Sequence, residues 1–227
     1  SYIENGLKSD NPEIVDRAIK AAGLSMDPQF IDTLITFVAN PKFSTAAKTA
    51  LVQYGVEILT FLEPLLDKES YKEIHQKIPS IAENISSQQS VGFLFGMLES
   101  ENALVRQEAL NSLNNLKVRF PFLHFDKKMV IRRILDEAKL IQDTLSVLYI
   151  QTKLESINQA DPNYLENKEL LEARKSLIAL LEKRLDSGLE RIFKLLGLKF
   201  NTDEILSAYL SFQSTKPDIR ISSIEFL

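Results

Sequence analysis

Asn11-Pro12-Glu13-Ile14 returns further along the chain as Asn40-Pro41-Lys42-Phe43, and each is followed, four residues after its apolar member, by an alanine, Ala18 and Ala47. Ser100-Glu101-Asn102-Ala103-Leu104-Val105-Arg106 repeats the pattern without proline, with Val105 in the apolar place and Ala109 in the small one. Ile74 and Ile78 fill the same two slots in between, so the anchors Ile14, Phe43, Ile74 and Val105 stand 29, 31 and 31 residues apart. A fifth copy, Lys216-Pro217-Asp218-Ile219-Arg220, carries Ser223 in the small slot. Proline fits the first turn of a helix, where its missing N–H costs nothing. The small residue admits a neighbouring helix, and the apolar anchor fills the layer between repeats. A helix pair cannot bury its apolar face alone, so the pattern predicts helix pairs that stack on one another.

The stretches between the anchors supply the second helix of each pair. Pro28 to Val38 carries Phe30, Ile31, Leu34, Ile35 and Val38; Val56 to Leu66 carries Ile58, Leu59, Leu62 and Leu65; Ser90 to Leu98 carries Val91, Leu94 and Leu98. Each shows the three-to-four-residue spacing of an amphipathic helix. The texture changes after Leu116. Asp126 is placed to cap a long helix reaching about Asn158, with Val130, Ile134, Leu135, Ala138, Ile141, Leu145 and Leu148 on its apolar face. Asp161-Pro162 is expected to open a second long helix, with Ser187-Gly188 as a kink and Gly197 as its stop. A short helix after Thr202 and a last one after Pro217 complete the reading. The division expected is 1–116 as repeats and 117–227 as a helical extension of the same continuous domain, ending in a final pair.

Composition agrees with helices. Only seven glycines and eight prolines serve 227 residues, while Leu, Ile, Lys, Glu and Ala abound. The absence of cysteine removes disulfides, thiolate metal sites and cysteine nucleophiles together. No apolar run approaches the ~18 residues of a membrane span. The chain opens on Ser1 and closes on Ile224-Glu225-Phe226-Leu227, inside an apolar pattern, so it reads as a piece of a longer protein.

Little in the sequence points to catalysis. His75 and His124 belong to no spaced ligand set, and a metal site is not expected. No Gly-x-Ser-x-Gly turn or glycine-rich phosphate loop occurs. Gly92-x-x-x-Gly96 is expected to serve the close packing of two helices. Adjacent carboxylates such as Asp136-Glu137 diverge on a helix and are expected to be solvated. No enzyme activity and no cofactor is therefore expected. One charge feature rises above background: Lys117, Arg119, Lys127, Lys128, Arg132 and Arg133 share a span whose only acid is Asp126. Lys127, Lys128, Arg132 and Arg133 are the candidates for contact with an anionic surface, set against the plainer reading of an exposed basic face that pairs with Glu and Asp of the next helix.

Ser100 to Leu113, Val130-Ile131-Arg132-Arg133-Ile134, Arg191-Ile192-Phe193-Lys194-Leu195-Leu196-Gly197-Leu198, Ile205 and Asp218-Ile219-Arg220-Ile221-Ser222-Ser223-Ile224-Glu225-Phe226-Leu227 occur in that order. This series resembles the HEAT-repeat region of bacterial proteins related to the ATP:ADP antiporter, or nucleotide-transporter, family, over roughly two-thirds of the chain. The resemblance implies an all-α, HEAT- or armadillo-like α-α superhelix with two longer helices in the C-terminal half. It also implies a scaffold or regulatory module at the cytoplasmic face of a membrane, where an unknown protein is the partner. No nucleotide-translocating residue carries over, since this chain holds no membrane span. The competing reading is a nucleic-acid binder of the HEAT-like DNA glycosylase kind using the basic segment 117–133. The net charge of −4 and the absence of Trp speak against nucleic acid as the partner.

Overall fold

A computed structural model describes residues 2–160 and 168–213. Among these residues every regular element is a helix and there is no strand. The chain divides into two compact units, Ser1–His124 and Phe125–Leu227.

In the first unit α1 (Tyr2–Leu7), α2 (Pro12–Ser25), α3 (Ile31–Ala39), α4 (Ser44–Val52) and α5 (Glu57–Leu62) follow one another. They are followed by α6 (Lys72–His75), α7 (Ile78–Ala82), α8 (Gln88–Met97) and α9 (Ala103–Arg119). The asparagines of the repeat act alike. Asn11, Asn40 and Asn102 each accept, through Oδ1, the N–H two residues on, at 2.9, 3.0 and 3.0 Å. Each thereby satisfies an amide that the start of a helix or turn leaves without a partner. The alanines act alike too: Ala18, Ala47 and Ala109 are all buried. Helices packed side by side are α1 with α2, α3 with α4, α6 with α7 and α8 with α9. Across these pairs α2 packs on α4, α4 on α7 and α7 on α9, and α3 packs on α6. The second-helix residues Phe30, Ile31, Leu34, Ile35, Val38, Ile58, Leu62 and Leu94 form the core with them.

The contacts between neighbours are close. A Cβ on Gly6 would lie 2.8 Å from the Ala18 Cβ, and one on Gly23 would lie 2.7 Å from the Ala50 Cα. Tyr54, in the turn after α4, sets its hydroxyl 3.1 Å from the Ala22 carbonyl and 3.0 Å from that of Asp27, tying down the C-terminus of α2. Lys77 donates to the carbonyls of Val38 and Ala39 at 2.9 and 3.2 Å, so its ammonium closes the negative end of α3.

Three expectations in this unit need correction. Ile14 is half-exposed, and the buried residue of its turn is the neighbouring Val15. The Ile74 and Ile78 copy is split over α6 and α7, because Pro79 sits in the first turn of a new helix. Gly92 and Gly96 are exposed, and among the described residues no helix packs closely on them. The last helix of the unit, α9, ends at Arg119, immediately before Phe120-Pro121-Phe122.

The second unit is built on α10 (Lys127–Ala160), α11 (Lys168–Lys199) and α12 (Thr202–Phe212). Asp126 does cap α10, its Oδ1 accepting the Lys128 N–H at 2.8 Å. A helix of 34 residues is about 50 Å long, more than the seven residues to Lys168 can span, so α11 must return antiparallel. The register agrees: Gly188 lies against Ile141, and Arg191 against Glu137. The face of α10 differs from expectation. Val130, Ile134, Ile141 and Leu148 are buried or half-buried, but Leu135, Ala138 and Leu145 are exposed, and Glu137 and Thr144 take buried places instead. Gly197 does not stop α11, which runs on to Lys199 because Leu198 is buried. Gly188 lies within the helix and serves a close approach, since a Cβ there would meet Ile141 Cγ1 at 2.9 Å. Phe193, Ile205 and Ala208 form a small core where α12 folds onto α11, with Tyr209 and Phe212 against it. The expected helix start at Asp161-Pro162, the copy at Lys216–Arg220 and the helix after Pro217 lie outside the described residues.

Candidate functional site

The basic residues at the start of α10 owe their display to the helix. Lys127, Lys128 and Arg132 are exposed, and Lys128 and Arg132, four apart, share a face. They stand in the first turns, where the helix carries its own partial positive charge, so ammonium and guanidinium groups reinforce the local potential. Arg133 is different: its Nη1 lies 3.3 Å from Asp136 Oδ2, and its side chain is largely covered. The structure thus leaves three of the four candidates outward-facing and pairs the fourth within the helix.

Lys117 and Arg119 do not belong to this group. Both sit on α9 in the first unit. Burial pushes the Lys117 ammonium below its usual pKa. Arg119 donates to Asn84 Oδ1 at 3.1 Å, lies 3.8 Å from Glu83 Oε1 and covers the ring of Phe120.

The first unit also carries two surface grooves. One, of about 560 Å³, runs along α2 and α4 past Asp16, Lys20, Lys42 and Thr49. The other, of about 760 Å³, lies between the Leu66–His75 region and the start of α9, with Asp67, Lys72, His75 and Glu101 among its walls. His75 Nε2 is 2.8 Å from the Leu65 carbonyl, a bond that holds a turn together. His124 is held through its backbone, which exchanges two hydrogen bonds with the Gln88 side chain. Among the described residues no three His, Asp or Glu side chains gather as metal ligands, and no helix is long and apolar enough to cross a membrane.

Two features escaped the sequence reading. Asp136-Glu137 is not a solvated pair: Glu137 is buried and meets Arg191 at 3.0 Å. The two atoms are at ion-pair distance without hydrogen-bond alignment, and the buried Arg191 Nε has no hydrogen-bond partner among the described residues. A charged residue in an apolar stripe was the available signal, but its partner stands 54 positions away. The second feature is an exposed apolar stripe on each of α10 and α11, signalled in sequence by more apolar positions than one helix contact can bury.

Compared with models of known protein families the chain matches none, and no curated protein matches it.

Proposed function

We propose that this chain is a non-catalytic interaction scaffold, a HEAT-like α-α superhelix that serves as the regulatory arm of a membrane protein related to nucleotide transporters. The observation that carries the scaffold reading is the recurrence of one device, an asparagine whose Oδ1 accepts the N–H two residues on, followed by a buried alanine: Asn11 and Asn102 cap α2 and α9, and Asn40 closes the turn that leads into α4. These helices stand in the row α2–α4–α7–α9, the arrangement by which stacked pairs extend a surface for partners. The transporter reading rests on the resemblance of the Arg191–Leu198 and Val130–Ile134 segments. It puts the chain at the cytoplasmic face of a membrane, with Lys127, Lys128 and Arg132 turned to anionic head groups and an unidentified protein as partner.

Each basic residue near an anionic membrane contributes about 1 kcal/mol, and only within a Debye length. Three together localise a tethered domain without holding an isolated one tightly. Sedimentation of the chain with phosphatidylserine vesicles tests this. Weak binding at low salt, lost at physiological salt and absent in K127E/K128E/R132E, is expected. Equal binding to neutral vesicles, or an unaffected variant, removes membrane attachment from the reading. Sequence-selective DNA binding would replace it with nucleic-acid recognition.

A further inference from the structure

The α10–α11 hairpin buries one stripe of each helix and leaves a second, equally apolar one uncovered. On α10 the residues toward α11 include Thr144, Leu148, Gln151 and Glu155, all buried or half-buried. One position before them run Asp143, Val147, Ile150 and Leu154, with Ile157 continuing the stripe, and all are exposed. On α11 the residues toward α10 include Leu171, Arg174, Ile178, Leu181 and Leu185, all half-buried. One position before these run Leu170, Ala173, Leu177, Leu180 and Arg184, again exposed.

The two stripes share one side of the hairpin. A step back of one residue turns a helix position by about 100°. The same turn on two antiparallel helices, each starting from the direction of its neighbour, moves both positions to the same face. The result is one apolar sheet of side chains across both helices, whose outer stripe is half of a four-helix bundle.

We infer that this face is covered by a second copy of the chain, the two hairpins forming a four-helix bundle in which α10 of one copy faces α11 of the other. Charge and area select this occupant. In the register set by Gly188 on Ile141 and Arg191 on Glu137, Asp143 and Arg184 stand at nearly the same height, and they end the two stripes on the same side. A two-fold axis along the hairpin keeps that height. It lays aliphatic against aliphatic and sets Asp143 of each copy opposite Arg184 of its partner. A head-to-tail arrangement would instead carry these charges beyond the end of the opposing stripe. The seven large aliphatic side chains are each 39–65% exposed. They offer on the order of 600 Å² of apolar surface per copy, against the roughly 500 Å² implied by a homodimer interface of about 800 Å² per partner that is about 65% apolar.

The test is the mass of the full chain in solution by light scattering or sedimentation, over a range of micromolar concentrations. The expected value is twice 25.8 kDa. L154E/L177E, at sites already exposed in the single chain, should return the mass to 25.8 kDa with unchanged helical circular dichroism. R184D should weaken association about tenfold at low salt, with two pairs broken per dimer, and D143R in the same chain should restore it. A chain monomeric throughout, or a dimer indifferent to L154E/L177E, overturns the inference. A dimer abolished by L154E/L177E but untouched by R184D overturns the arrangement of α10 against the partner's α11.

Discussion

Arg191 sets its Nη2 3.0 Å from Oε2 of Glu137, joining α10 to α11 at a point where both side chains are almost wholly withdrawn from water. Two charges taken out of water are held by each other more than they stabilise the fold, so the pair is sensitive to losing one member and tolerant of losing both. R191M takes the Arg191 guanidinium away from the buried Glu137 carboxylate and is expected to cost about 3–5 kcal/mol. E137L/R191M should cost less than R191M alone. Urea unfolding of the four chains of the double-mutant cycle measures both, and additive losses would show that the two side chains are not coupled.

Gly23 and Gly92 make opposite predictions from the same substitution. A Cβ on Gly23 would meet the Ala50 Cα at 2.7 Å and its carbonyl at 3.0 Å, so α2 and α4 must separate. G23A is expected to destabilise by roughly 1–3 kcal/mol. Gly92 lies mid-helix in open space, and G92A should stabilise by about 0.5–1 kcal/mol through helix propensity. Thermal unfolding of both variants checks the pair, and equal effects would refute the close contact of α2 with α4.

How much of this was readable from the chain depends on the range of the interaction. The asparagine bonds act over two residues; Asn11 and Asn102 stand at the starts of α2 and α9, whereas α4 begins only at Ser44, past the turn that Asn40 closes. Burial of Ala18, Ala47 and Ala109 followed from the repeat, because a small side chain in that slot lets a neighbouring helix approach. Glu137 was misread because Arg191, which meets it from α11, stands 54 positions away in the sequence. Gly92 and Gly96 were misread because small residues signal close packing only where a neighbour arrives, and among the described residues none does. Of the basic candidates, Arg133 was lost to Asp136, a local pairing that the spacing of three already allowed.

Tyr54 links the first unit to pH. Burial first, and the Asp27 carboxylate second, raise its pKa above the ordinary value of 10.0. The folded chain therefore holds the phenol proton more tightly than the unfolded one. The stability that Tyr54 contributes is fully present below pH 10 and declines as pH rises through that value toward the higher folded pKa. Y54F loses the hydroxyl's bond to the Ala22 or Asp27 carbonyl, about 0.5–1.5 kcal/mol at neutral pH, and should lose less stability than the parent between neutral pH and pH 11 or so. Denaturant midpoints of both chains across that range decide it, and parallel profiles would contradict the assignment.

The central claim is that this chain is the cytoplasmic arm of a membrane protein, and the location of the complete gene product tests it most directly. Membranes from cells producing that protein, washed with alkaline carbonate, should retain it, and protease added from the cytoplasmic side should degrade this chain. Recovery of the complete product in the carbonate supernatant, or protection of this chain from protease on the cytoplasmic side, would contradict the account.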